Sequence, residues 1–579
     1  MKPKYIIGIN YGSHDASVVL YSKGKILFAA EEERYNREKH TKKFPQKSLE
    51  YIITKFSLND ESKVYVVYFM NPFVSFIAPL KMFIHYRNYV SLKYGLKKSF
   101  KRLKEWFYIK KYCINKNWKV FYVNHHEAHA ASSFFLSPFR KATIVTIDGR
   151  GEYLSVGFFK AEDRKIQSLG GISIPFSVGY FYSYFTEYLG FKPQCDEYKV
   201  MGLSAFGEPT YINILSSIFS YRNNNKPKVD LNVLDFWKVK GENTFAGLIE
   251  IFGPKREMGS SISQNHKNIA SSLQKYTQTI ISNLVLEAIR RAGYKNVCLS
   301  GGVGLNCVAN SYIAKFKEVE KLFIPPAPND TGTALGAALI IANNFCPHFT
   351  KNITWNPFLG AEYSSSEILA EISKYCDLLE AEFVEDPSLV GAKLLSQGKI
   401  IGWFQERMEW GPRALGNRSI FSQAYPISIK DKLNVLIKER ETFRPFAPMI
   451  LTEYLKDYFT IEESLESILN YMLCTGEAKP IALKNIPAAL NVDGTARIQT
   501  VSSNFNKKCW DLLNHYKKLT GIPAIINTSF NIKGNPIVNT PKDALADFID
   551  SSLDYCIMGS YLIKRKTLAW QEIQFQRLA

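Results

Sequence analysis

The sequence predicts an α/β protein of two domains, the first built from an internal duplication. Three observations predict it. The chain has 579 residues, more than one hydrophobic core usually serves. A strand–turn–strand–turn–strand pattern occurs twice, over residues 5–33 and 142–169. A polar stretch from Asn343 to Pro357, carrying Pro347 and Pro357, separates this region from a second set of apolar strands and helices. The domains are therefore set at 1–345 and 346–579.

Composition narrows the class. An apolar content of 46% and an aromatic content of 14% suit a well-packed globular protein. The nine cysteines are scattered, odd in number and without a C-x-x-C pair, so a reduced, cytoplasmic protein is expected. The opening MKPKYIIGIN reads as the start of a strand and not as a signal peptide. The most apolar run, Val64 to Ile84, is broken by Asn71, Pro72, Pro79 and Lys81. It reads as a buried strand followed by a loop, with no membrane span. The net charge of +20 is concentrated: residues 81–120 carry twelve Lys/Arg, Arg87 among them, against the single acid Glu105, a net +11 (12 − 1). Membrane surface, anionic substrate and RNA are the chemistries such a segment could meet; we read it as a solvated basic helix pair.

In chain order, the first meander is YIIGIN, then ASVVLYS, then KILFAAEEE, with the turn Asn10–Asp15 between its first two strands. The second is ATIVTID, then YLSVGFFK, then KIQSL, with the turn Gly149–Glu152 in the same place. Two such meanders, each followed by helices, suggest the architecture of actin and the heat-shock ATPases, whose facing turns hold phosphates. Glycine turns suit anionic oxygens because no side chain screens the backbone N–H groups. His14 would point into that cleft as a possible general base, and Lys39 and His40 would be polar loop residues near it.

Between the meanders lies NHHEAHAASSFFLSPF. His125 and His129 are i and i+4, which on a helix places both imidazoles on one face, a turn apart. The next strand, Thr143 to Ile147, ends on Asp148, an acid that is costly at the end of a buried strand unless it is used. These three residues form a candidate metal site. Residues 210–265 are rich in Asn and Lys and read as an insertion, followed by a helix from Asn268 to Ala292. NVCLSGGVGLN then gives a buried strand, the pair Gly301–Gly302 that lets a nucleotide approach the backbone, and a helix starting near Asn306. Asp330 precedes a Gly/Ala-rich helix. It can serve as a fourth ligand, a water-mediated ligand or an N-cap.

In the second domain a strand, Lys399 to Phe404, leads into a loop carrying Arg407, Arg413 and Arg418. Lys438, Arg440 and Arg444 follow, then Asp493 and Arg497, then a strand ending on Asn527, Thr528, Ser529 and Asn531, with Lys533 beyond. Arginines on loops after apolar strands suit phosphate recognition, because the planar guanidinium binds oxygen pairs.

The motifs NHHEAHAASSFFLSPF, IDGRGE, DEYKVMGLSAFGEP, SGGVGLN, PPAPNDTGTALG, EWGPRALGNRSI, FRPFAP, VDGTARIQT and NTSFNIKGNPIV resemble, in that order, those of the O-carbamoyltransferases, among them the nodulation-factor, cephamycin and tobramycin enzymes. The resemblance implies an ATPase-like first domain and a YrdC-like second domain. It implies that the second domain makes carbamoyl adenylate from carbamoyl phosphate and ATP with Mg²⁺, and that the first transfers the carbamoyl group to a hydroxyl of a small-molecule natural product or sugar. Carried over, His14 is the general base, and His125, His129, Asp148 and Asp330 hold a divalent metal. The family metal is Fe²⁺; spacing alone leaves Mn²⁺ and Zn²⁺ open. Asn10, Gly12, Lys39, Gly149, Gly301, Gly302 and Asn306 fall to substrate or adenylate binding. Arg413, Arg418, Lys438, Arg444, Arg497, Asn527 and Ser529 fall to ATP and carbamoyl phosphate. The chain departs from many relatives in reading Asn491 where they carry histidine. No nucleic-acid partner is expected, and the protein is expected to be a monomer or homodimer. The competing readings are a tRNA threonylcarbamoyl-type transferase and a nucleotide-binding regulator without turnover.

Overall fold

The computed structural model describes residues 3–59, 63–86, 89–221, 226–234, 244–347, 349–351, 355–532 and 534–566. Arg87, Lys533, the last thirteen residues and parts of the 210–265 and 343–357 stretches lie outside them. The chain forms two compact units. The first comprises residues 1–32, 40–355 and 462–468; the second comprises 33–39, 356–461 and 469–579.

The first unit holds two five-stranded sheets of one topology. The first contains β1 (Tyr5–Asn10), β2 (Ser17–Ser22), β3 (Lys25–Glu31), β4 (Val64–Tyr68) and β5 (Lys119–Tyr122), in the order β3-β2-β1-β4-β5. The second contains β6 (Lys141–Ile147), β7 (Leu154–Glu162), β8 (Lys165–Ser173), β9 (Asn296–Ser300) and β10 (Lys321–Phe323), in the order β10-β9-β6-β7-β8. In each, an antiparallel meander supplies three strands and two parallel strands complete the sheet. β1 pairs antiparallel with β2 (Ile6 opposite Tyr21) and parallel with β4 (Ile7 opposite Val66). β6 pairs antiparallel with β7 (Ile144 opposite Phe159) and parallel with β9 (Ile144 opposite Cys298). The strands that lie inside each sheet are buried along nearly their whole length, so they read as apolar runs without alternation. This is the duplicated actin-type architecture expected from the two meanders.

Six helices matter for the site: α1 (Ile77–Tyr86), α2 (Tyr89–Ile114), α3 (His125–Leu136), α4 (Gln264–Ala292), α5 (Cys307–Ile313) and α6 (Thr331–Phe345). The expected loop after β4 is in fact a short 3₁₀ turn, Val74–Phe76, running into α1. Pro79 does not prevent this helix, because it lies in the first turn, where its missing N–H would have had no partner. α6 is buried almost all round, and its glycines explain how close it sits to its neighbours. A Cβ on Gly336 would lie 1.7 Å from the Ala128 carbonyl oxygen of α3, and one on Gly8 of β1 would lie 1.8 Å from the Ala334 carbonyl oxygen of α6. α6 is thereby held against both α3 and β1.

The second unit is built on an eight-stranded mixed sheet: β11 (Leu379–Phe383), β12 (Ile401–Phe404), β13 (Arg418–Ser422), β14 (Ala447–Leu451), β15 (Gln499–Val501), β16 (Ala524–Ser529), β17 (Tyr555–Met558) and β18 (Tyr561–Arg565). Their order is β11-β18-β17-β12-β13-β16-β14-β15. Helices Pro387–Ser396 and Lys507–Thr520 cover a core that includes Trp403, Phe421, Met449, Leu512, Ile525 and Ile557.

Candidate active site

α3 delivers two imidazoles as its i, i+4 spacing requires, and the end of β6 and the start of α6 bring a carboxylate each. His125 Nε2 lies 2.9 Å from Asp148 Oδ2 and 3.7 Å from Asp330 Oδ1; His129 Nε2 lies 3.4 and 3.7 Å from the same two atoms. All four residues are buried, and one ligand atom from each falls within 4.8 Å of the others. Asp330 stands at the N-cap position of α6 but makes no side-chain cap bond; its Oδ1 faces the two imidazoles instead. Among the described residues, His129 Nε2 and Asp330 Oδ1 are buried with no hydrogen-bond partner. Two imidazole nitrogens and two carboxylates converging with unfilled valence fit a divalent cation of the Fe²⁺, Mn²⁺ or Zn²⁺ type.

The surroundings orient these ligands. Ser300 Oγ lies 3.3 Å from His129 Nδ1. Asp148 Oδ1 accepts N–H bonds from Gly149 (2.8 Å) and Gly302 (3.3 Å). Glu152, a residue the sequence reading passed over, is buried and accepts the backbone N–H groups of His125 (3.0 Å) and Asn71 (2.8 Å), so it fixes the start of α3. His126 turns away: its two ring nitrogens meet Thr146 Oγ1 at 2.7 Å and the Leu154 carbonyl at 3.0 Å. Burial and the neighbouring His125 push His126 down to about 3, so it is a neutral packing residue. Burial would lower His129 too, but the Asp148 and Asp330 carboxylates facing its ring raise it to about 9. Burial opposes the charge on Asp148, yet the His125 hydrogen bond and the His129 imidazole beside it hold its carboxyl well below the usual range.

The first glycine turn joins this centre. Asn10 Nδ2 donates to the Asp15 and Asp330 carbonyls at 2.9 and 3.0 Å, and Ser13 Oγ donates to Asp330 Oδ2 at 2.8 Å. His14 Nδ1 is 3.0 Å from Asp15 Oδ2, while His40 Nδ1 is 2.7 Å from Asp15 Oδ1. Burial works against a charged His14, but the Asp330 charge and the Asp15 hydrogen bond raise it to about 10. Gly12 has a φ of +88°, and a Cβ there would lie 2.2 Å from a Glu105 carboxylate oxygen. Glu105, the one acid of the basic segment, is buried against this turn, with Tyr68 Oη and Arg102 Nη1 each 3.1 Å from its Oε2. Partial desolvation and the Arg150, Arg102, Lys42 and Lys101 cations push Lys98 down to about 8, marking a positive field beside the two glycine turns.

Other predicted residues are placed as follows. Gly149 packs under the Tyr180 ring, and Gly301 has a φ of +94°, where a Cβ would lie 2.1 Å from the Ile147 carbonyl oxygen. Asn306 spends its side chain as the N-cap of α5 and on Gln274. Lys39 groups with the second unit, where its charge acts on Lys438. In that unit Lys438 Nζ donates to the Ser529 carbonyl and to the backbone and side-chain oxygens of Asn531, at 2.9 and 3.0 Å for the latter two. Burial, with the Arg440 and Arg444 cations beside it, holds Lys438 well below its ordinary value. Ser529 Oγ donates to Asn531 Oδ1 at 2.6 Å. Arg413, Arg444 and Arg497 are half-buried, Arg444 lying 3.5 Å from Glu441. Asn527 is buried and donates to Gln499 Oε1 at 2.7 Å.

Arg418 departs from expectation. It is fully buried, its guanidinium donates to the carbonyls of Gln405, Asn417, Ala361 and Glu406, and it stacks 3.6 Å over Phe404. A fork already committed to four carbonyls holds the loop together and leaves no pair of N–H groups for a phosphate. Glu409, also missed, completes that loop. Its buried Oε1 accepts N–H bonds from Leu415, Asn417 and Arg418 at 2.7–3.2 Å.

Comparison with known proteins identifies the family. The carbamoyltransferase N-terminus profile matches residues 5–339, and the carbamoyltransferase C-terminus profile matches residues 392–565. Nodulation protein NolNO of Sinorhizobium fredii is 32% identical over 98% of this chain and 81% of its own length. Nodulation protein NolO of Bradyrhizobium diazoefficiens is 32% identical over 78% of this chain and 80% of its own. The uncharacterised protein sll1178 of Synechocystis sp. is 32% identical over 99% of this chain and 98% of its own. The chain belongs to the carbamoyltransferase family and is a transferase enzyme.

Proposed function

We propose that this carbamoyltransferase is an ATP-dependent O-carbamoyltransferase working in two steps. The observation that carries the reading is the buried His₂Asp₂ centre joined through Asn10 and Ser13 to the turn bearing His14. In the first step, assigned to the second unit, carbamoyl phosphate loses inorganic phosphate to water and leaves carbamate. A carbamate oxygen then attacks the α-phosphorus of ATP, and pyrophosphate departs with its Mg²⁺. The product is carbamoyl adenylate, a mixed anhydride with AMP as leaving group. Arg413, Arg444 and Arg497 are the cations assigned to the phosphates. Lys438 binds three protein oxygens and serves to shape the loop at Ser529 and Asn531.

In the second step, assigned to the first unit, the acceptor hydroxyl attacks the carbonyl carbon of the adenylate. The bond from that carbon to the AMP oxygen breaks, and the hydroxyl proton passes to His14. His125, His129, Asp148 and Asp330 would hold the divalent metal, which supplies Lewis-acid stabilisation of phosphate charge when bound. Asp15 orients His14 through the 3.0 Å contact to Nδ1, leaving Nε2 for the proton. His14 accepts a proton only in its neutral form, so the charge of Asp330, which raises it, has to be balanced in the working enzyme. The acceptor is a small-molecule hydroxyl compound.

The test is pyrophosphate release from ATP and Mg²⁺ with and without carbamoyl phosphate, with mass detection of carbamoyl adenylate. Dependence on carbamoyl phosphate is the expected result. Pyrophosphate release that needs bicarbonate and threonine instead, or none at all, overturns the reading in favour of a threonylcarbamoyl-type enzyme or a nucleotide-binding regulator.

A further inference from the structure

The helical pair α1 and α2 carries a surface that the chemistry above does not use. On α2, Phe100, Phe107 and Ile114 recur every seven residues and are 54%, 53% and 69% exposed. Lys97, Lys104 and Lys111 recur at the same interval, three residues earlier, and are also exposed. On a helix this offset sets an apolar row beside a lysine row on one face. On α1, Ile77, Leu80 and Ile84 follow i, i+3, i+7 spacing and are exposed, Ile84 to 72%. The pair is built and not frayed. A Cβ on Gly95 would lie 2.6 Å from Pro79, so the helices cross in close contact. Phe76 meets Phe100 at 5.1 Å and Trp106 meets Phe107 at 5.2 Å between ring centroids. On its inner side α2 is anchored to the first unit by buried Glu105 and Arg102.

We infer that this face docks on the surface of an anionic phospholipid bilayer, lying in the interface without crossing it. The two halves of the pattern select that occupant. The lysine row, in a segment of net +11, suits phosphate headgroups, while the apolar rows suit the acyl boundary just below them. The lysine stems let the ammonium groups stay among headgroups while their methylenes follow the apolar rows inward. A second copy of the chain would bring a like charge of the same size against it. A nucleic acid would engage the lysines and the rings but has no use for Ile77, Leu80, Ile84 and Ile114. Among the described residues no helix is long and apolar enough to cross a membrane, so the attachment is peripheral and reversible.

The test is co-sedimentation of the full chain with vesicles of phosphatidylcholine alone and of phosphatidylcholine mixed with phosphatidylglycerol, at low and high salt. Binding to the mixed vesicles only, weakened by salt, is expected. Lys97→Glu with Lys104→Glu is expected to lower the partition by roughly 25-fold or more, at about fivefold per lysine removed. Ile84→Ser with Phe107→Ser is expected to lower it by about tenfold or more. All four side chains are exposed, so the thermal unfolding midpoint of each variant should match the parent and exclude misfolding as the cause. Absence of binding to the anionic vesicles overturns the inference, as does full retention by the Ile84/Phe107 variant. Binding to single-stranded RNA in place of vesicles overturns it equally.

Discussion

Metal binding to the His₂Asp₂ centre should be paid for in protons. In the metal-free protein His129 sits at about 9, because Asp148 and Asp330 favour its charged form more than burial disfavours it. At pH 7 it therefore carries a proton that a metal must displace before Nε2 can coordinate. The cost is roughly two pH units, about 3 kcal/mol or on the order of a hundredfold in apparent affinity, relative to a pH above 9. Apparent affinity for Mn²⁺ should rise about tenfold per pH unit between 7 and 8 and level off near 9. Calorimetric titration at pH 7 in two buffers of different ionisation enthalpy should report release of at least one proton per metal bound. Buffer-independent heats, or an affinity flat between pH 7 and 8, would refute the assignment of His129 as a ligand paired in the metal-free state with these two carboxylates.

Four further outcomes test particular residues. His14→Asn should leave carbamoyl-phosphate-dependent pyrophosphate release intact and lower transfer by roughly 10²–10⁴-fold; loss of both activities counts against its role as base. Arg413→Ala should do the reverse, stopping adenylate formation while transfer from supplied carbamoyl adenylate survives. Ser300→Ala removes the neighbour of His129 Nδ1 and should weaken metal binding by roughly 10-fold or more, measured by competition with a chelator. Gly336→Ala would place a Cβ 1.7 Å from the Ala128 carbonyl oxygen and should cost about 3 kcal/mol or more in chemical unfolding, with lowered metal stoichiometry.

The duplicated sheet was legible because each meander keeps its strands in sequence, separated by tight turns, so local pattern suffices. The helix α1 was misread because Pro79 looks like a breaker until its place in the first turn is known. His125, His129 and Asp148 were legible from helical spacing and from an acid closing a buried strand. The i, i+4 spacing singled out His125 over His126, and packing agrees: the His125 ring meets Asp148 while the His126 ring meets Thr146. Asp330 could be read from sequence as a ligand, a water-mediated ligand or a cap; only the fold shows that its side chain makes no cap bond and faces the two imidazoles. Arg418 shows the opposite failure. In sequence it matches a phosphate-binding arginine, and only the fold reveals four carbonyls already meeting its guanidinium. Glu152 and Glu409 carried a faint signal, an acid inside a glycine-containing turn, yet the backbone N–H groups they accept are set by tertiary structure.

The close seating of α6 against α3 and β1 also bears on when the metal centre can come into being. Its ligands are spread along the chain, so Asp330 leaves the ribosome 205 residues after His125 (330 − 125). At ordinary synthesis rates that interval is roughly 10–40 s. Throughout it the nascent chain holds two histidines and one aspartate, with no α6 to close the cage. A cation captured in that interval would be held by an incomplete set and could be exchanged. Any divalent ion this site retains would therefore be selected after the first unit has closed around Gly336, from the ions then present and not from those met during translation.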